Sequence, residues 1–130
     1  MQPRGRVAWD ADFERLHSLA LVNLAVCREL LQRGYDLGLL SDGMDVPSET
    51  AEPVPLDPRL AARLGRGPVG GPAQVHVRHR WPPRPEPPPQ GRCVLMQPWE
   101  YGSLPRAWLP MLERVDEVWA YSRYVRKRLI

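Results

Sequence analysis

Glu100 stands between two aromatic residues, Trp99 and Tyr101, just after a short apolar run that Pro98 ends. A carboxylate between two rings can accept hydrogen bonds from ligand hydroxyls or remove a proton. A helix cap or an ion pair with a nearby arginine would use the same group structurally. A second polar set, Asp10, Asp12, Glu14 and His17, follows the apolar stretch Arg6 to Trp9. The backbone N–H groups near Ser18 open a helix and suit an anion such as a phosphate or carboxylate. His17 either touches a ligand or caps that helix. Asn23, the only asparagine, lies inside an apolar helical run and needs a hydrogen-bond partner. Residues 75–79 read VHVRH; in a strand His76 and Arg78 share one face and His79 takes the other. The histidines and cysteines lack the number and spacing of a metal site, so none is expected. Cys27 and Cys93 are too few for a disulfide framework and read as small core residues.

The elements that would position these groups alternate strand and helix. Arg6 to Trp9 predicts a first strand, and Asp10 to His17 a loop. Ser18 to Arg33 predicts a helix ended by Gly34. Its first half is apolar on nearly every face, which predicts deep burial against a sheet. Leu37 to Leu40 predicts the second strand. Residues 42–73 are rich in Pro, Gly and acids, with one short helix: Asp57 as N-cap, Pro58 first, then on to Leu64, with Gly65 as stop. Gln74 to Arg78 alternates as a third strand. Residues 82–89 contain six prolines, and 81–90 predicts an exposed, extended crossover. Arg92 to Gln97 is a fourth, buried parallel strand. Ser103 can N-cap a helix whose stripe is Leu104, Trp108, Leu112 and Val115. Val118 to Tyr121 is a fifth strand, and Ser122 opens a final basic helix. The fold class is α/β, a Rossmann-like parallel sheet with flanking helices. A strand order 3-2-1-4-5 would reverse between strands one and four, bringing His17 and Glu100 within ~10 Å at the carboxyl edge.

The chain has 130 residues and is 43% hydrophobic, enough for one modest core. Residues 1–65 carry 7 basic and 10 acidic side chains; residues 66–130 carry 11 and 5. Lys127 is the only lysine and Ile130 the only isoleucine, while Arg, Pro, Gly and Ala abound. That skew fits a GC-rich coding sequence, so the arginines do not require a polyanion, and no nucleic-acid partner is expected. No charged-then-apolar leader and no ~18-residue apolar run is visible, which predicts a cytoplasmic location.

The run Pro98-Trp99-Glu100-Tyr101-Gly102-x-Leu104-Pro105-x-x-Trp108, with Val115-Asp116-Glu117-Val118-Trp119-x-x-Ser122, resembles the later part of the N-terminal domain of GT-B glycosyltransferases. Residues 17–20 with Asn23, and 75–79 with Trp81-Pro82-Pro83, follow the same order as in that family. The resemblance touches most of the chain except roughly residues 42–73. It implies transfer of a sugar from a nucleotide-sugar donor, a substrate rather than a cofactor, to a sugar, lipid or protein acceptor. Peripheral membrane contact stays open. It implies Glu100 as the catalytic candidate, short of naming it the base outright. Asp10, His17, Ser18, Arg78, Trp99 and Ser122 become substrate contacts, and Trp81 or Trp99 could stack on a sugar ring. Residues 1–130 would be a partial, acceptor-side N-terminal domain, inactive alone. The donor-binding domain would be a further part of the same parent chain, since 123–130 reads as a helix without a stop signal; a small standalone α/β domain that stops short is the alternative. The loop after the first strand lacks the paired glycines that some members use near donor phosphates, and no G-x-G-x-x-G follows that strand.

Two other classes compete. One is a different phosphate- or nucleotide-binding α/β protein. The other is a module presenting Pro82-Pro83-Arg84-Pro85 to an SH3-like partner.

Overall fold

The structure is a computed structural model that describes residues 4–11, 13, 18–40, 57–79, 91–96, 106–120 and 123. The proline segment 81–90 and the N-cap Ser103 lie outside the described residues. Strands β1 (Arg6–Ala11), β2 (Asp36–Leu40), β3 (Val75–His79), β4 (Arg92–Met96) and β5 (Glu117–Trp119) alternate with helices α1 (Ser18–Gln32), α2 (Pro58–Ala61) and α3 (Leu109–Arg114). All five strands pair in parallel, in the order β2-β1-β3-β4-β5. This corrects the expected 3-2-1-4-5. The third strand sits between the first and the fourth, and the order reverses between β1 and β3.

Period-two alternation sorts the strands onto two faces. Val7, Trp9, Ala11, Leu37, Leu39, Val77 and Val94 join Leu24 and Cys27 of α1 and Leu60 of α2 in one core cluster. The opposite face carries Ala8, Asp10, Asp36, Gly38, His76, Arg78, Cys93 and Leu95, in the register Ala8–His76–Cys93 and Asp10–Arg78–Leu95. Right-handed crossovers on either side of the reversal put α1 and α3 on opposite faces. Met111 of α3, buried, accordingly lies outside the α1-side cluster.

α1 ends by a mechanism its sequence announces. Gly34 adopts φ 87°, donating to Leu31 O at 3.1 Å, and Tyr35 N donates to Leu30 O at 3.1 Å. This pair of bonds is the Schellman arrangement that satisfies carbonyls of the last turn. Full burial of the helix is not what forms. Ala20, Asn23, Leu24 and Cys27 face the sheet, whereas Leu21 is 52% exposed and Ala25 is exposed too. Its apolar surface exceeds what one sheet face can cover.

Two further expectations are corrected. α2 stops at Ala61 rather than Leu64, because Leu64 forms a parallel bridge to Leu39 on the outer edge of β2. Before α3, Arg106–Trp108 is a 3-10 turn, and the buried residue is Met111 rather than Trp108 or Leu112. Trp119 of β5 is 39% exposed, and its indole N–H donates to Glu117 Oε1 at 2.9 Å. β5 is anchored by Asp116, which accepts from Cys93 N at 2.7 Å and donates its own N–H to Cys93 O at 2.9 Å. No helix among the described residues is long and apolar enough to cross a membrane.

Candidate functional site

In an open α/β sheet ligands bind beyond the carboxyl ends of the strands, where strand order reverses. Here that point lies between β1 and β3, whose last residues, Ala11 and His79, are register partners. β1 runs further than the sequence pattern indicates, so Asp10 is a strand residue and not a loop residue.

On the α1 side of this edge, three polar side chains meet in a buried cluster. The Trp9 indole N–H donates to Asn23 Oδ1 at 2.9 Å, and His79 Nδ1 bonds the same oxygen. Trp9 is a donor only, so the amide oxygen must face it. An oxygen can only accept, so His79 Nδ1 carries a proton in this arrangement. Asn23 and His79 are fully buried, and among the described residues Asn23 Nδ2 has no hydrogen-bond partner. The expected partner for Asn23 thus exists, and it is Trp9.

On the opposite face, Asp10 and Arg78 are neighbours across β1 and β3, with Arg78 Nε 3.5 Å from Asp10 Oδ2. His76 lies one pleat below on the same face, beside Ala8. Burial is the main cause holding its imidazole below the ordinary 6.5; the Arg78 charge adds to this and the Asp10 charge opposes it. Across the ladder from His76, burial pushes the Cys93 thiol up, with Arg78 pulling it down and Asp116 and Asp10 raising it. Cys27 is pushed up strongly by burial alone. Both cysteines are free, buried and protonated, which suits core residues and not nucleophiles. Among the described residues no three His, Cys, Asp or Glu side chains gather as a metal site.

Of the residues singled out from the sequence, Asp10 and Arg78 are brought together. Ser18 is the first residue of α1, on the carboxyl side of β1. His17, Trp99, Glu100 and Ser122 lie outside the described residues, as does Trp81. The reason for expecting His17 near Glu100 no longer holds as stated. β3 intervenes between β1 and β4, adding one inter-strand spacing of about 4.8 Å. That Trp9 and His79 share the Asn23 oxygen is a finding of the structure. The signal was present in the period-two pattern, which sets Trp9, Ala11, Val77 and His79 on one face below the helix stripe that carries Asn23.

No family model, no curated protein and no solved structure matches the chain.

Proposed function

We propose that the chain forms the acceptor-side part of a GT-B-type glycosyltransferase, which moves a sugar from a nucleotide-sugar donor to an acceptor hydroxyl. The observation that carries this reading is a convergence. Asp10 and Arg78, far apart in sequence and both inside or beside the ordered motifs of that resemblance, face each other near the carboxyl edge where the strand order reverses. Ser18 opens α1 after the carboxyl end of β1, on the other face of the sheet from this pair, so a ligand spanning the edge could draw on helix N–H groups as well as on the carboxylate and the guanidinium. In this reading Glu100, following β4, supplies a carboxylate to the crevice from one strand further along. His17, Trp99 and Ser122 complete the contacts. The chain works in a cytoplasmic setting, with a donor-binding domain as its partner.

A second reading draws on the sheet. The order 2-1-3-4-5 is shared by open α/β sheets that bind phosphate-bearing ligands at the same switch point without any sugar transfer. Backbone chemical-shift mapping separates the two. Residues 1–130 are titrated with a panel of mono- and disaccharides, and separately with bare nucleotides. Sugar transfer predicts saccharide-induced shifts clustered at Trp9–Ala11, the first turn of α1 and Arg78–His79. Shifts with nucleotides alone favour the second reading, and saccharide shifts elsewhere on the sheet overturn the first.

A further inference from the structure

Arg78 is mostly covered, its side chain only 15% exposed, and arginine is rarely covered unless it is fully paired. Here the pairing is incomplete. The contact to Asp10 runs through Nε at 3.5 Å, beyond the roughly 2.7–3.2 Å of a direct N–H···O bond. Among the described residues no acceptor bonds either terminal nitrogen of Arg78, and neither is a buried unpaired atom, so both reach solvent and are open to a ligand. We infer that Arg78 holds an oxyanion, a carboxylate or a phosphate group, on its two terminal nitrogens, while Asp10 orients the guanidinium from the Nε side. The inference goes beyond the sugar-transfer reading and does not depend on it.

The geometry suits this use. A guanidinium presents parallel N–H groups that match two oxygens of one anion, which an ammonium cannot do. Arg78 is the penultimate residue of β3, and its neighbour across β1 is Asp10. Its neighbour across β4 is Leu95, itself buried, so the guanidinium has an apolar wall on one side and is weakly screened there. The charged and titratable groups around it come from three strands: Asp10 on β1, His76 on β3 and Cys93 on β4, with Asp116 at the Cys93 amide. Among the described residues the Arg78 and Asp10 charges offset one another, so a bound anion adds negative charge to this face. His76 on the same face can take up a proton to offset it. Anion and proton uptake are then coupled and reciprocal.

The test is a titration of residues 1–130, at constant ionic strength, with inorganic phosphate and separately with acetate. It is followed at the Arg78 Nε–H and His76 imidazole resonances. The expected result is a saturable shift at Arg78 and a rise in the His76 titration midpoint with at least one ion; the stronger ion identifies the class. Arg78→Lys keeps the charge and loses the fork, so affinity falls by about tenfold. Arg78→Met removes the response altogether and raises the His76 midpoint without any ion. If the Met variant fails to fold, the Lys variant carries the comparison. No saturable shift with either ion, or equal affinity in wild type and Arg78→Lys, overturns the proposal.

Discussion

One amide, that of Asn23, ties the first helix to two strands. Its oxygen is the acceptor for both the Trp9 indole and His79 Nδ1, inside a region with no solvent contact. Asn23→Leu keeps much of the volume but leaves two buried donors unsatisfied, at about 1–3 kcal/mol each, less the relief of the orphaned Nδ2. The expected loss is about 2–4 kcal/mol in urea unfolding followed by tryptophan fluorescence. An unchanged midpoint would show that the three groups do not depend on one another. His76 sets a pH effect of definite sign. Its folded pKa lies below the ordinary 6.5, so between the two values the unfolded chain binds more protons. Its share of stability is complete above pH ~6.5 and declines as pH falls through that value toward the folded pKa. His76→Gln should therefore lose less stability than wild type between pH 7.5 and 5.0. Parallel slopes in urea unfolding would rule this out. Asn23's need for a partner was legible because a lone asparagine stood in an apolar helix. The partner was not, because indole and imidazole reach it only after two strands pair.

At the scale of elements, the outer edge of β2 is closed by a latch. Leu39 N donates to Arg63 O at 3.1 Å and Gly65 N to Leu39 O at 2.7 Å, while Asp36 accepts from Val69 N at 2.8 Å and Gly70 N at 2.7 Å. Backbone groups that would otherwise template pairing with another chain are thus partly used. The latch passes directly over Gly38, where an added Cβ would lie 2.3 Å from Arg66 O and 2.5 Å from Gly67 C. These are backbone atoms, so Gly38→Ala has to displace the segment. The expected cost is about 1–3 kcal/mol, with faster amide exchange at Leu39 and Gly65. Exchange unchanged at those two amides would show that the segment is not a latch. The strands themselves were legible, each as a short apolar run with a turn signal beside it. Their order was not. Val75–His79 alternates, yet it sits in the middle of the sheet, where Arg78 lies beside Asp10 of β1. The stripe of α3 was misplaced for a local reason. Its entry is a 3-10 turn with three residues per turn, and that changes the angular phase from which Met111 comes to face inward. The helix cap at Asp57 was legible in full: its carboxylate accepts from Arg59 N at 2.9 Å, with Pro58 in the first position.

The whole molecule, as far as the described residues go, is one sheet with one carboxyl edge, and that limits what it can hold. β5 has three residues, two of them exposed, and no further strand beyond it among the described residues. A nucleotide sugar bound at the switch point would meet the N-terminus of α1, worth about 0.3–2 kcal/mol toward an anion. If Arg78 also engages it, a charge-assisted bond adds about 1.5–3 kcal/mol. Together these reach at most about 5 kcal/mol, whereas micromolar affinity needs about 8. Sugar transfer demands more still, because donor and acceptor must be held in attack geometry in a closed, dry cleft. If the sugar-transfer reading is right, residues 1–130 alone bind nucleotide sugars with dissociation constants near millimolar and do not turn them over. Isothermal titration against uridine, guanosine, adenosine and thymidine diphosphate sugars measures the first, and release of nucleoside diphosphate the second. Arg78→Met should weaken whatever binding is seen. A low-micromolar constant for any donor, or turnover by this chain, would mean that the donor pocket is built from these strands. The division of labour proposed here, with the donor held by a separate domain, would then be wrong.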